Sequence, residues 1–284
     1  MSRQRALLSK RGWARLQGIG EWTWLLPLLL VIGVALAFTC FSSEPSRLDL
    51  ASTFAAPSGK SPLGCGEGGI NLTAFVGYAC LRSLCLSTFV AFSACFLGVS
   101  IGTLAAQWRG QVERLILGIC DLVQAFPTFL LALAVLSAVR SPERWHLGVV
   151  FSMLSWAPFA RVTHILARNL LHSEFVVAAQ AFGAGKLHIA RLHIVPHLVG
   201  PLAIQMGTTA AGVVLSEASL GFIGLGPTDG VSLGALLEQG TVAMLREPRI
   251  LLVAACAIAA TSGALQLASE GLRSVLTSRA STRA

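Results

Sequence analysis

Six apolar runs, each long enough to cross a lipid bilayer as a helix, dominate this sequence of 284 residues. They lie at residues 22–41, 79–106, 112–139, 145–166, 199–225 and 250–272. A helix needs about 20 predominantly apolar residues to span the hydrocarbon core, and the first run is longer than the core of a cleaved signal peptide. The sequence therefore predicts an all-α integral membrane protein with about six transmembrane helices.

The composition excludes other broad classes of protein. Charged residues make up 12% of the chain and hydrophobic residues 54%, whereas a soluble domain carries about 25% charged residues. The net charge of +8 would suit a nucleic-acid-binding protein, but the basic residues lie in short segments between the apolar runs and form no continuous stripe. We therefore expect a lipid bilayer, and no nucleic acid, as the surroundings of this chain.

Lysine and arginine are distributed unequally between the segments that join the runs. If residues 1–21 lie in the cytosol, fourteen basic residues fall on the cytosolic side and six on the outer side. Because basic segments are retained in the cytosol, we expect residues 1–21 and 273–284 to be cytosolic and residues 42–78 to be extracytoplasmic. Residues 79–272 then form a five-helix core that includes a cytosolic segment at 173–197.

The stretch 173–201 is polar and charged although it lies between two membrane-spanning runs. Its first half predicts an amphipathic helix that Ser173 caps and in which Glu174 occupies the first turn. The apolar face of this helix consists of Phe175, Ala178, Ala179 and Phe182. Gly183 and Gly185 end the helix.

A second short amphipathic helix follows these glycines, and Pro196 begins the next span. Its polar residues are Lys186, His188, Arg191 and His193. Two short helices joined by a glycine hinge at the membrane face make a docking surface for another protein.

Three motifs in this order resemble those of the permease subunits of ABC importers, in the branch for dipeptides, oligopeptides and nickel. The cytosolic loop of those permeases carries E-A-A, three residues, G, about nine residues and then I-x-L-P. The corresponding residues here are Ala178, Ala179, Gly183, His193, Ile194, Val195 and Pro196. Val177 stands where the family has the motif glutamate, and Glu174, one turn earlier, is the candidate to replace its contact with the ATPase.

Two further segments carry the same resemblance. Residues 121–127, DLVQAFP, resemble the family's D-I-L-x-A-F-P, and residues 217–226, EASLGFIGLG, resemble its E-A-x-L-S-F-L-G-L-G. The resemblance extends from about residue 62 to residue 273 and implies the fold of a type I ABC importer permease. It implies a multi-pass protein of the bacterial inner membrane that forms half of a pore for peptides or a related small solute, such as nickel or a metal chelate.

The resemblance also implies partners. They are a second homologous permease, two cytosolic ATP-binding subunits and an extracytoplasmic solute-binding protein. ATP and Mg would be bound by the ATP-binding subunits, so we expect this chain to bind no cofactor and to have no ATPase site of its own. Residues 183–186, GAGK, look like the end of a phosphate loop but lack its upstream glycine and its final hydroxyl residue.

Asp121 and Glu217 are carboxylates within apolar runs. A charge at the bilayer centre costs about 2.5 to 3.5 kcal/mol on insertion scales, so each should face the bundle interior or a water-filled path. Each is a residue of the solute pathway, part of a polar contact between helices, or a side chain that extends to a nearby membrane interface.

Two other functions compete with the permease interpretation. Residues 98–102, GVSIG, match the nucleophile motif of serine hydrolases, and a membrane-embedded hydrolase would pair Ser100 with His164. Because the motif lies within a helical run of small residues, close helix packing explains it better. An ion-driven secondary transporter would show an inverted repeat, and none is seen. His193 and His197 have a metal-binding spacing, but Pro196 lies between them, and we expect protein contacts instead.

Overall fold

The computed structural model describes residues 25–41, 47–108 and 110–281. In these residues the regular structure is helical, with two isolated β-bridges and no strand, as the sequence predicts. The helices are α1 Leu26–Thr39, α2 Leu72–Gln107, α3 Gln111–Ala125, α4 Thr128–Ser137, α5 Arg144–Leu170, α6 Glu174–Ala181, α7 Lys186–Ile189, α8 Val195–Phe222, α9 Leu233–Val242 and α10 Pro248–Ser281. The predicted basic segment 1–21 lies outside the described residues.

The spans follow the apolar runs with two qualifications. Among the described residues, four helical stretches are long and apolar enough to cross a membrane: α2, α5, the path Lys186–Phe222, and α10. The pair α3 and α4 makes a fifth if it is counted as one bent span. Helix α1 has 14 residues and is shorter than the predicted run, whose first residues are not described.

The predicted single helix at 112–139 is wrong, because α3 and α4 meet at an angle of 80°. The break lies at Phe126 and Pro127, whose ψ angles of 140° and 123° are extended. Proline has no N–H to donate, and its ring bars the preceding residue from the helical conformation. Pro127 therefore ends α3 at Ala125, two residues earlier.

The predicted start of the second span at residue 79 is also wrong. Helix α2 begins at Leu72 because the Asn71 side chain accepts hydrogen bonds from the backbone N–H groups of Thr73 and Ala74, at 3.0 and 3.4 Å. An asparagine at this position satisfies amide groups that the helix leaves free. The segment expected to be a loop at 42–78 is correspondingly shorter.

The short second helix predicted after the glycine hinge does not end before the next span. Helix α7 continues through a π-helical turn, Ala190–Ile194, directly into α8, so that Lys186–Phe222 is one helical path. Pro196 occupies the first turn of α8, where its missing N–H is tolerated. At the other end of the chain, α10 extends beyond the predicted limit of residue 272 to Ser281.

Small residues bring the long helices together, as the 98–102 motif predicts. A Cβ on Gly98 would lie 2.4 Å from Cβ of Phe159, and one on Gly102 would lie 2.4 Å from the carbonyl oxygen of Ala160. Helices α2 and α5 therefore pack in parallel at backbone contact. Gly207 makes the same close approach between α8 and Ser269 of α10.

The two ends of the bundle differ, and we name them by their short helices. At the α9 end, the segment 47–71 lies against the start of α10, where Arg249 donates to the carbonyl oxygens of Phe54 and Ala55, each at 2.9 Å. Helix α9 itself was not predicted. At the α6 end, α2 and α5 finish and the path Lys186–Phe222 begins.

Candidate functional site

Helix α6 is anchored to the bundle through one buried residue, Val176, and through the ring contacts of Phe175. Val176 is fully buried in the apolar cluster that contains Phe159, Ile189 and Leu198. The ring of Phe175 stacks on that of His197, with ring centroids 5.4 Å apart, and also contacts His193. Phe175 thus holds α6 against the start of the path Lys186–Phe222, and the expected interfacial contacts of His193 and His197 stay a prediction.

The glycine hinge has the geometry of a Schellman cap. Gly183 has a φ of +85°, its N–H donates to the carbonyl of Gln180 at 2.9 Å, and the N–H of Ala184 donates to that of Ala179 at 3.0 Å. This arrangement satisfies the last carbonyl groups of a helix and favours glycine. The GAGK segment therefore reverses the chain between α6 and α7. Lys186 lies 5.9 Å from the centre of the Trp108 ring.

Ser173 does not act as predicted at the start of α6. It occupies the residue before the helix, but its hydroxyl donates back to the carbonyl of Leu170 and does not cap α6. Glu174 is in the first turn, as expected, and is exposed. A hydroxyl that bonds to the preceding helix end ties α6 closely to the end of α5.

The remaining residues of α6 form an exposed apolar surface. Phe182 is 93% exposed and Val177 51% exposed, and Ala178 is also exposed. Beside them a shallow groove is lined by residues of both short helices, namely Ala179, Phe182, Gly183, Ala184, Gly185, His188 and His193. Two other members of the predicted coupling motif lie further along the chain: Ile194 is buried in the bundle, whereas Pro196 is exposed. We call the exposed faces of α6 and the hinge, 174–185, the α6 surface.

Asp121 and Arg161 form an ion pair between α3 and α5. The Asp121 side chain is 63% exposed in the single chain, so it does not face the interior of this bundle, and the alternative of a water-filled path stays a prediction. A second cluster, which the sequence analysis missed, lies nearer the α6 end. There Glu113 accepts from Arg168 and lies 2.9 Å from Nε2 of His164.

Glu217 does face the bundle interior, with a side chain that is 1% exposed. Its Oε1 lies 3.4 Å from Nη1 of Arg144, at the α9 end of α5. Arg144 also pairs with Asp229 at 3.0 Å and donates to the carbonyl of Val231. Arg82 of α2 pairs with the same aspartate at 2.8 Å. This network joins α2, α5 and α8 to the loop 226–232, so Glu217 makes the interhelical polar contact considered above.

The pair of residues that a hydrolase would need is not assembled. The Ser100 hydroxyl donates to the carbonyl of Phe96 at 2.8 Å, on the exposed side of α2, while His164 contacts Glu113. Among the described residues, no group of three or more histidine, cysteine or acidic side chains is placed to hold a metal ion. The α6 surface and the polar groups of the spans thus remain as the candidate functional features.

Comparisons with known proteins agree with this architecture. Residues 98–278 match the family described as binding-protein-dependent transport system inner membrane component. A putative peptide transport system permease protein of Brucella suis biovar 1 is 31% identical over 259 residues, which cover 90% of this chain and 86% of the relative. A probable D,D-dipeptide transport system permease protein of Escherichia coli K12 is 25% identical over 257 residues, covering 90% of this chain and 85% of the relative.

Proposed function

This chain belongs to the family of binding-protein-dependent transport system inner membrane components, and on that basis we propose that it forms half of the pore of an ATP-driven importer. The other half is a second, homologous permease. Two cytosolic ATP-binding subunits supply the energy, and an extracytoplasmic binding protein delivers the solute. Because the two relatives described above are named for peptide and D,D-dipeptide transport, the proposed solute is a short peptide.

The observation that carries this proposal is the α6 surface. Phe182, which lines the groove, projects from the protein with 93% of its surface exposed, although it is a large apolar residue, and Val177 on the same helix is half exposed. Exposed apolar residues that cluster around a groove are typical of protein–protein contacts. The distribution of basic residues supports a cytosolic location for this end of the bundle. The α6 surface is therefore the proposed docking site for an ATP-binding subunit.

The connections of α6 provide a route by which a partner can act on the bundle. Val176 and Phe175 fix α6 to the start of the helical path Lys186–Phe222, and Ser173 joins it to the end of α5. That path continues without a break to Glu217, near the α9 end. In the proposed mechanism, closure of the ATP-binding subunits displaces α6, and α5 and α8 transmit the movement so that the pore opens alternately to the two sides.

Val177 gives the docking contact an apolar character. Val177 stands where the family has the motif glutamate, and it is uncharged and exposed. Glu174 lies one turn before it on the same helix. The residues that follow the hinge include the basic side chains Lys186 and Arg191. We therefore expect the groove of the partner to present an apolar floor with acidic side chains at its edge.

Capture of the tagged chain from its native membranes tests the proposal. We expect an ATP-binding subunit and a second permease to co-purify, and the complex in proteoliposomes to accumulate labelled dipeptides only when ATP and the binding protein are both present. Phe182→Asp should release the ATP-binding subunit, whereas Phe182→Leu, which keeps an apolar side chain, should retain it. Uptake that ion gradients drive without ATP would contradict the proposal, and uptake of a nickel chelate in place of peptides would change the proposed solute alone.

A further inference from the structure

A cavity within the membrane-spanning region is lined by uncharged residues, and five of the eleven carry hydrogen-bonding side chains. It lies between the break of α3 and α4, the middle of α5 and the middle of α8, and its volume is about 190 Å³. At about 30 Å³ per water molecule, it has room for roughly six. Its polar lining consists of Gln124, Thr128, Ser155, Thr209 and Ser216.

The hydroxyl groups of this cavity lack the internal hydrogen bonds that others in the spans make. Ser93, Ser100 and Ser262 each donate to the carbonyl oxygen four residues earlier, at 2.8 Å. Within the described part of the chain, none of the four hydroxyls that line the cavity has a hydrogen-bond partner. A hydroxyl without a partner is costly in hydrocarbon, so these groups must be met by water or by a polar ligand.

The broken helix supports the same conclusion. Extended backbone at Phe126 and Pro127 leaves peptide groups without helical partners in the middle of a predicted span. Such backbone occurs at membrane depth only where it is covered by protein or lines a cavity that holds water or a solute. The residues on either side of the break, Gln124 and Thr128, both line this cavity.

Charged pairs lie on both sides of the cavity and not within it. Towards the α6 end, the pair of Asp121 and Arg161 lies one helical turn from Gln124 on α3 and from Pro158 on α5. Towards the α9 end, Glu217 follows Ser216 directly and is held by Arg144. The section between these pairs is neutral and rich in hydroxyl groups, which suits amide groups better than ions.

We infer that this cavity is a subsite of the translocation pathway that forms hydrogen bonds to uncharged amide groups, such as the peptide bonds of the solute. The inference rests on the proposed transport function. Ser155 and Thr209, on α5 and α8, contact the amide groups directly, and the ion pairs at either end close the subsite from the two aqueous sides. This assignment gives the neutral residues, and not Asp121 or Glu217, the contact with solute.

Access of a small hydrophilic thiol reagent tests the subsite without knowledge of the solute. Single cysteines would replace Ser155, Thr209 and, as the control, Ser262, in an otherwise cysteine-free chain within the complete complex. All three native side chains are partly buried, but Ser262 lies outside the cavity and is bonded to Ile258. Because thiolates form in water and not in hydrocarbon, 2-aminoethyl methanethiosulfonate should modify Ser155→Cys and Thr209→Cys at least about tenfold faster than Ser262→Cys. Equal rates at the three positions, or no labelling of any, would overturn the inference.

Transport by a second set of variants separates this inference from the proposed function. Ser155→Ala combined with Thr209→Val should raise the KM for dipeptide uptake about tenfold, because two hydrogen bonds to the solute are lost. Stimulation of ATP hydrolysis by the loaded binding protein should stay within about twofold of normal, because the α6 surface is unchanged. Unchanged uptake would refute the subsite alone. A complex that shows no such stimulation even before substitution would refute the proposed function.

Discussion

Arg144 Nη1 lies 3.4 Å from Oε1 of Glu217, a carboxylate that is almost completely buried between three helices. The two residues are not equally replaceable. Glu217 has Arg144 as its ion-pair partner, whereas Arg144 also binds Asp229 and the carbonyl of Val231. Arg144→Met should therefore destabilise the protein by about 3 kcal/mol, because it leaves a buried carboxylate unpaired.

Glu217→Gln should cost only about 1 kcal/mol, since the amide still accepts a hydrogen bond and Arg144 keeps its other partners. The double variant Arg144→Met/Glu217→Leu should recover most of the stability that Arg144→Met loses. Thermal unfolding of the purified complex in detergent measures all three. Equal losses for Arg144→Met and Glu217→Gln would show that the buried carboxylate does not depend on Arg144.

The close approach of α2 and α5 depends on Gly98. A methyl group there would meet Phe159 Cβ at 2.4 Å, so Gly98→Ala should destabilise the protein by about 1 to 3 kcal/mol. Gly263 of α10 is the matched control, since nothing lies within 4 Å of its added methyl group. Gly263→Ala should be neutral or stabilising by up to about 1 kcal/mol. The same unfolding assay compares them, and a harmless Gly98→Ala would mean that the helices are further apart.

Substitutions of Gly183 can test whether the hinge depends on its left-handed backbone conformation. No atom lies within 4 Å of a Cβ on Gly183, so a larger side chain is opposed by the backbone conformation and not by neighbours in this chain. Gly183→Asn should retain most coupling of ATP hydrolysis to transport, because asparagine tolerates this conformation, whereas Gly183→Leu should lose it. Val177→Glu, at an exposed position, should leave the fold intact but weaken coupling, because it places a negative charge in the apolar docking contact. The assay is ATP hydrolysis stimulated by the loaded binding protein, and full coupling in Gly183→Leu would remove the hinge from the docking site.

The proposed orientation places the exposed residues Ser58 and Gln180 on opposite sides of the membrane. Single cysteines at these positions in a cysteine-free chain should therefore react with an impermeant thiol reagent from opposite sides. We expect the position-58 thiol to react in intact spheroplasts and the position-180 thiol only in inverted vesicles. Reaction of both thiols from one side would contradict the six-span topology.

The elements that apolar periodicity specifies could be predicted from the sequence, and so could the hinge. Runs of about 20 apolar residues have one stable arrangement in a bilayer, and glycine at residue 183 matches a conformation that other residues avoid. The break at Pro127 could also have been found, because the proline stands in the middle of a predicted span. Its effect was missed because hydropathy averages over a window and does not register a single absent N–H.

Contacts between distant segments could not be predicted in the same way. The sequence marked Glu217 as unusual, but Arg144 lies 73 residues before it, with several helices between, and Asp229 lies in the loop after its helix. Hydropathy carries no information on which arginine reaches which carboxylate. Val176 was likewise overlooked, since it and Val177 are adjacent apolar residues about 100° apart around the helix, and only the packing of α6 on the bundle shows which one is buried. Helix α9 was missed because its apolar stretch is too short to span a membrane.

The most direct test of the docking role of the α6 surface is photo-crosslinking from position 182. Replacement of Phe182 by p-benzoylphenylalanine keeps an aromatic side chain at a site that is 93% exposed, and the same residue in place of Leu245, which is 98% exposed at the α9 end, is the control. We predict that irradiation of the assembled complex joins position 182 to an ATP-binding subunit and that position 245 never forms this product. An ATP-binding subunit crosslinked from position 245, or none from position 182 in a complex that still transports, would contradict the account.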